Sequence, residues 1–404
     1  MFHRFCERFG CAGGVGTPRR HGGRRLRRAP LRRPGSPALR QKRHQNLFAS
    51  MTGRKILVLG GTGAMGVYLV PALLRAGFQV LATSRTHRET THPNLRYLQG
   101  DGRDMAFLSS LLSNLHPDAI VDFMSYGTEA FAARRHLLLD FTSQYLFLSS
   151  YRVFADSSTI PLTERSPRLL DVCDDPAYLA TDEYALAKAR QENLLRESGL
   201  RNWTILRPGI TYSHNRFQFG TLEANTVCFR ALQGLPVIMA REILARQTTM
   251  TWAGDVAKLI VPLVLNPEAL AEDYNIVTAE HRLWSEIAQH YSDFLNLRVV
   301  ETDLATYAAV VGRLPQIRFD RMYDRIMDNS KVLAATEIAQ ADFMPLRNGL
   351  ERELASFKKH PYYQYPDFAL NARMDRATGT RMSLAGLPLK RKIRYFLEKH
   401  RSAK

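Results

Sequence analysis

No run of about eighteen apolar residues, the length needed for a membrane-crossing helix, occurs in this 404-residue sequence. Its longest apolar stretch, "LIVPLVL" at 259–265, is broken by Pro262 and closed by Asn266-Pro267, so a buried helix accounts for it and no transmembrane segment is expected. Cysteine is scarce as well. The four cysteines stand at 6, 11, 173 and 228 without CxxC spacing, which argues against a disulfide framework or a structural zinc site. A reducing, cytoplasmic setting and no metal are therefore expected. Lysine is the third scarcity: between Lys55 and Lys258 the only one is Lys188, in a chain that otherwise uses arginine for positive charge.

What is present begins with charge. A net +18 ordinarily suggests nucleic acid or an acidic membrane. However, residues 1–50 carry thirteen Lys and Arg against one Glu, and residues 381–404 carry eight against one. The stretch between is almost neutral, so no nucleic acid is expected for the core. Residues 1–52, dense in Arg, Gly and Pro without an apolar period, read as a disordered basic extension. A mitochondrial transit peptide or an RNA-binding arm are functional readings of it; with Met51 just before the first strand-like run, a solvated extension preceding the natural start is preferred. The tail over 361–404 ends in "LPLKRKIRYFLEKHRSAK", which reads either as a basic amphipathic helix for a membrane surface or partner, or as a solvated helix end.

The stretch "RKILVLGGTGAMGVYLVPALLRAGFQVLATSR" reads as strand, glycine turn, helix and second strand. Gly60, Gly63 and Gly66 have GxxGxxG spacing, which brings backbone N–H groups and a helix N-terminus onto a pyrophosphate. Gly60 permits the tight turn, Gly63 the close phosphate approach, and Gly66 the packing of helix on strand; Thr62, Ala64 and Met65 complete the cradle. The second strand ends in Ser84-Arg85 where an NAD site commonly places a carboxylate, so NADP is the preferred cofactor and NAD the alternative. The third strand ends at Asp101-Gly102, where a carboxylate can accept from the adenine amino group. A fifth strand, "QYLFLSS", ends in two serines at the edge where open parallel sheets bind ligands.

In "TDEYALAKARQE", Tyr184 and Lys188 stand at i and i+4 and share one helix face. Tyrosine, with an ordinary pKa near 10, is a poor base at neutral pH unless a nearby ammonium stabilises the phenolate. Lysine is compact enough to bond ribose hydroxyls at the same time, which arginine's planar fork is not. The charges around the pair, Glu183 and Arg190 among them, read as a solvated face.

With these motifs the chain resembles the extended short-chain dehydrogenase/reductases, specifically the NAD-dependent epimerase/dehydratase family. "SSYRVFA" places Ser150 at the family's catalytic hydroxyl, "LRPG" supplies Arg207-Pro208, and Asp255-Val256-Ala257, Tyr274-Asn275 and "DNSK" at 328–331 follow in order. The resemblance implies an α/β fold, a doubly wound parallel (Rossmann) sheet with a smaller C-terminal substrate-binding region. Residues 53–210 would form the dinucleotide-binding core, with 250–275 returning to it, and 211–249 with 276–360 the substrate-binding region. It implies hydride exchange with the nicotinamide, Tyr184 moving a substrate proton, Ser150 bonding the same oxygen, and Lys188 holding the ribose. The implied partner is a small-molecule substrate, a nucleotide sugar in the leading reading, and the protein is a candidate homodimer. Reduction of a non-sugar carbonyl is one alternative. Another is a non-catalytic RNA-binding or regulatory role like that of the family's chloroplast stem-loop-binding members.

Some residues depart from the family pattern. Tyr151-Arg152 replace the Asp-Glu pair that water elimination requires, so dehydration is disfavoured. Thr248 stands where nucleotide-sugar epimerases carry a phosphate-gripping arginine, with Arg246 two residues away as a substitute. Arg152 reads equally as a contact for an anionic substrate and as a surface arginine. His214 reads as a solvated loop residue.

Overall fold

The computed structural model describes residues 53–361 and 366–400; the basic extension over 1–52 and part of the linker after 361 lie outside the described residues. Seven strands carry the fold: β1 (Lys55–Leu59), β2 (Gln79–Ser84), β3 (Leu95–Gln99), β4 (Ala119–Asp122), β5 (Gln144–Leu148), β6 (Trp203–Arg207) and β7 (Glu272–Asn275). They form one sheet in the order β3-β2-β1-β4-β5-β6-β7, with every pairing parallel. Strands β1, β4, β5 and β6 are almost continuously apolar, as strands covered on both faces must be. In register, Ile56 pairs with Val80 on one side and Ala119 on the other. The sheet order therefore reverses at β1, and the crevice beyond the carboxyl ends of β1 and β4 is where such sheets receive ligands.

Five helices wrap this sheet: α1 (Gly66–Arg75), α2 (Met105–Leu115), α3 (Thr128–Asp140), α4 (Tyr184–Arg196) and α5 (Ala253–Ile260). Leu69 and Leu73 of α1 join Val256 and Leu259 of α5 on one face, in a core with Val58, Val121 and Leu146. Leu108 of α2, Phe131 of α3 and Leu195 of α4 cover the other face, against Leu57, Ile120 and Phe147. The apolar run at 259–265 is only partly α-helical. Helix α5 stops at Ile260 and a 3-10 turn follows, because Pro262 has no N–H for the next helical bond.

The chain leaves the sheet after Arg207 and builds a second core from short strand pairs and helices. Ile210–Tyr212 pairs with Met250–Trp252, and Val237–Ala240 with Val299–Thr302. Around them pack α6 (Trp284–Leu295), α7 (Leu304–Val311) and α8 (Leu346–Lys359), with Phe219, Trp284, Tyr291 and Tyr307 buried in the centre. Two further helices, α9 (Phe368–Thr378) and α10 (Leu389–His400), follow the linker. They are joined to this core by a fully buried ion pair, Arg230 to Asp375 at 2.9 Å. The Tyr395 hydroxyl donates to the same Asp375 carboxylate at 2.8 Å. Among the described residues no helix is long and apolar enough to cross a membrane.

Candidate active site

The turn after β1 is built around missing side chains. Gly60 has φ +78°, in the left-handed region that favours glycine. Its N–H donates to Thr83 Oγ1 at 3.0 Å, tying the turn to the end of β2. A methyl on Gly66 would run into the backbone of Gly61, and one on Gly61 would lie 2.8 Å from the Ala82 Cβ of β2. The close approach of turn to strand thus belongs to Gly61, while Gly66 packs on the turn itself. The spacing pattern had assigned strand packing to Gly66 and had passed over Gly61.

Beyond this turn lies a cleft of about 370 Å³ lined by Gly60, Thr62, Gly63, Ala64, Met65 and Gly66 on one side. Ser84, Arg85, Asp101 and Gly102 line it further out, joined by Arg103, Phe123 and Met124, which the sequence reading had not included. The Ser84 hydroxyl donates to the Thr86 carbonyl at 2.8 Å, and the Asp101 carboxylate accepts from the Arg103 N–H at 2.9 Å. A dinucleotide fits this wall. The chain turns at Gly63 from β1 into α1, the arrangement that presents a helix N-terminus to a pyrophosphate, and the N–H groups of Val67, Tyr68 and Leu69 are already bonded to the Gly63 and Met65 carbonyls. A Cβ on Gly63 would stand 3.3 Å from the Gly60 carbonyl, narrowing that same cradle.

Ser150, Tyr184 and Lys188 come together at the carboxyl end of β5. Ser150 is buried and opens a 3-10 turn, its Oγ accepting from the Arg152 N–H at 3.2 Å. Tyr184 is the first residue of α4 and more than a third exposed. Lys188, one turn further in, is buried and donates from Nζ to the Leu148 carbonyl at 2.7 Å. Its Nζ lies 6.0 Å from the centre of the Tyr184 ring. Burial pulls the Lys188 pKa down to about 8, against the opposing pull of the Asp122 and Glu192 carboxylates. Asp122 is itself buried beneath the site, where it accepts from the Tyr145 and Tyr126 hydroxyls at 2.9 and 3.1 Å.

The charged residues around Tyr184 do not form the solvated face expected of them. Glu183 caps α4 by accepting from the Ala185 N–H at 2.8 Å, pairs with Arg152 at 2.6 Å and accepts from the Tyr178 hydroxyl at 3.0 Å. Arg190 donates to the carbonyls of Thr181 and Leu179. Both charges are spent on anchoring the segment that delivers Tyr184. Arg152, also held by Asp320 at 3.3 Å, places its guanidinium 5.2 Å from the Tyr184 ring centre. It is therefore no surface arginine.

A second cavity of about 340 Å³ opens on the other side of Met65, which lines both spaces. Ser150 and Tyr184 line it together with four arginines: Arg152, Arg216, Arg313 and Arg321. Lys188 lies behind Tyr184 and does not line it. Arg246, the expected substitute for the missing arginine, is absent from this wall; it stands 3.8 Å from Asp324, and Thr248 is buried in a short antiparallel pairing. Arg216, Arg313 and Arg321 were missed because they come from segments with no motif to mark them. The remaining motif residues are structural. Arg207 pairs with Glu192 at 2.7 Å and Asp273 at 3.0 Å, and Asp255 accepts from Lys258 and the Met344 N–H, both at 2.7 Å. The Asn275 N–H donates to Glu164 at 2.8 Å. His214 faces Glu353 at 3.3 Å rather than either cavity.

The model of the NAD dependent epimerase/dehydratase family matches residues 56–277. Among curated proteins, a UDP-glucose 4-epimerase of Lacticaseibacillus casei is 29% identical over 182 residues, covering 40% of this chain and 50% of the relative. The chloroplast stem-loop binding protein of 41 kDa b of Arabidopsis thaliana is 28% identical over 174 residues, 39% of this chain and 42% of that protein. The chain thus spans about half the length of the curated relatives it matches. Among solved structures, the epimerase Mth375 of Methanothermobacter thermautotrophicus aligns with TM-score 0.59 at 17% identity, covering 78% of this chain and 95% of that one. The Bordetella bronchiseptica enzyme WbmG, in complex with NAD and UDP, aligns with TM-score 0.57 at 15% identity, covering 76% and 96%. At such identities these structures speak for the fold; the family model, matching more than half the chain, speaks for descent. This chain belongs to the NAD dependent epimerase/dehydratase family.

Proposed function

We propose that the protein is an NAD(P)-dependent oxidoreductase or epimerase acting on a hydroxyl or carbonyl of a nucleotide-linked or related sugar. The observation that carries this reading is the joining of the two spaces at Met65, with Ser150 and Tyr184 on the wall of the second and Lys188 beneath. When bound, the nicotinamide exchanges a hydride with a substrate carbon. Tyr184 moves the proton of the substrate oxygen, and Ser150 donates to that oxygen as charge develops on it. Lys188 spends one ammonium proton on the Leu148 carbonyl and has others for ribose hydroxyls. NADP is the preferred cofactor, because β2 ends in Ser84-Arg85 rather than a carboxylate, and Arg85 lines the outer cleft together with Asp101 and Arg103. The arginines of the second cavity support an anionic substrate, and WbmG, solved with UDP, supports a nucleotide-linked one.

The test is titration of the full chain with NADPH and NADH, followed by cofactor fluorescence, then turnover with nucleotide sugars. Tighter binding of NADPH is expected. Tyr184→Phe should bind cofactor normally and lose about 100- to 10,000-fold in turnover, whereas Lys188→Ala should weaken cofactor binding itself. Binding of neither cofactor sinks the enzyme reading, and equal or tighter binding of NADH removes the role given to Arg85. The 28% identity to a chloroplast stem-loop binding protein favours one other reading, a dinucleotide-binding relative that contacts RNA without catalysis. Cofactor binding without turnover on any carbonyl or hydroxyl substrate, together with retention of an RNA stem-loop, would support it.

A further inference from the structure

Helix α10 is attached to the body chiefly on the side of Tyr395, with Arg381 also reaching over the Phe396 ring at 5.6 Å. Tyr395 is buried and bonded to Asp375, and Arg373 of α9 stands 3.5 Å from Glu398. At 100° per residue the opposite side of the helix carries Leu389, Ile393, Phe396 and Leu397. These four are 72%, 50%, 39% and 69% exposed, and together make the longest exposed apolar stripe on any described helix. Lys390 and Arg394 lie along one shoulder of the stripe and Lys392 along the other. The direction of the stripe follows from the anchoring of Tyr395, because a helix that buries position 395 must turn 393 and 397 outward.

We infer that this face is a docking surface for an anionic phospholipid bilayer. The charge pattern selects the partner. A narrow, convex apolar ridge with cations on both shoulders matches an interface in which acyl chains lie beneath a layer of negative headgroups. The leucine and isoleucine side chains enter the boundary while the lysine and arginine stems reach up to the phosphates. A nucleic acid would use the cations and leave the apolar ridge in water. A protein partner would need an acidic groove, and a second copy of this chain offers one: the apolar groove at Leu304 and Ile317, rimmed by Asp175, Glu242 and Asp303. That groove also holds Arg318, which already pairs with Asp175 at 2.7 Å, so cations on both shoulders of the ridge favour the bilayer, and the second copy is an outcome of the test.

The full chain is mixed with vesicles of phosphatidylcholine alone and of phosphatidylcholine with about 30% phosphatidylglycerol, and binding is read by flotation. The proposal expects retention on the anionic vesicles only. The double variant Ile393→Glu/Leu397→Glu should abolish it, and each of Lys390→Gln, Lys392→Gln and Arg394→Gln should cost about fivefold in partition. Lys390, Ile393, Arg394 and Leu397 are exposed and Lys392 is half-buried at the shoulder, so circular dichroism and the melting temperature of the exposed-site variants should stay at wild-type values. Three results overturn the proposal. One is no binding to anionic vesicles. Another is binding that survives the double variant, which would assign it to basic residues elsewhere in the chain. The third is a dimer dissolved by Ile393→Glu/Leu397→Glu without any vesicle binding, which would make a second copy the partner.

Discussion

At the scale of single residues, the site turns on how Lys188 is housed. Buried and held by the Leu148 carbonyl, it carries its charge below about pH 8, because burial disfavours the ammonium. Any affinity for cofactor that depends on this ammonium should therefore weaken as pH rises through about 8, and the loss should be absent from Lys188→Ala. Measurement of NADPH dissociation constants against pH for both proteins checks this. Glycine 66 supports a steric prediction. Its Cβ position is occupied by the Gly61 backbone, which cannot yield as a flexible side chain would. Gly66→Ala should destabilise the protein by about 1–3 kcal/mol and displace the first turn of α1. Chemical denaturation and cofactor titration of the variant would report the two effects separately.

At the scale of elements, α4 is the piece on which the site depends, and it is fixed by charge as much as by packing. Glu192, halfway along it, is fully buried among Arg207, Arg168 and Arg196, and also accepts from the Ser149 hydroxyl at 2.6 Å. Burial alone would push its carboxyl up, but the Arg207 guanidinium outweighs that and holds it at about 2. Since the native value lies below the unfolded value of 4.5, ionised Glu192 stabilises the fold fully above about pH 4.5. That contribution disappears as pH falls towards 2. Urea unfolding of wild type and Glu192→Gln over a falling pH series should show a stability gap that closes across this window. A gap independent of pH would remove the ionic account of α4.

Elements also show what sequence can and cannot reveal. The βαβ unit around Gly60 is legible because local rules act together there: an apolar strand, glycines at turn spacing, and an apolar helix face within thirty residues. Tyr184 and Lys188 are legible because a helix converts spacing of four into a shared face. Glu183 was misread for a related reason. Its place beside a helix start says that it is available as a cap, but its second partner, Arg152, lies thirty-one residues away and is brought there only by the sheet. Arg216, Arg313 and Arg321 are the extreme case: guanidiniums from a loop, the start of a short helix and the end of a π-helical turn that line one cavity only in the folded chain.

At the scale of the whole molecule, the C-terminal helices are joined to the second core by a buried ion pair, alongside the Arg373 bond to the Val310 carbonyl and the packing of Leu370 and Met374. Arg230 donates to the Pro236 carbonyl at 2.7 Å and pairs with Asp375, joining α9 and α10 to the second core. Arg230→Met leaves Asp375 buried without its cation, and such a loss costs about 3–5 kcal/mol. A lowered melting temperature is expected, read by circular dichroism. If the melting temperature holds, the attachment rests on apolar contacts such as those of Met374 and Leu370 instead.

The two walls of the second cavity have different origins. Ser150 and Tyr184 stand on elements tied to the parallel sheet, one at the end of β5 and the other on a helix pinned by Glu183 and Glu192. Arg216, Arg313 and Arg321 belong to segments outside that sheet. Arg216 and Arg313 touch neither Tyr184 nor Lys188, whereas Arg321 shares the Asp320 carboxylate with Arg152 and so is tied to the support of Tyr184. Under the proposed chemistry, the wall at Arg216 and Arg313 is where a lineage carrying this fold can drift in what it accepts while keeping how it reacts.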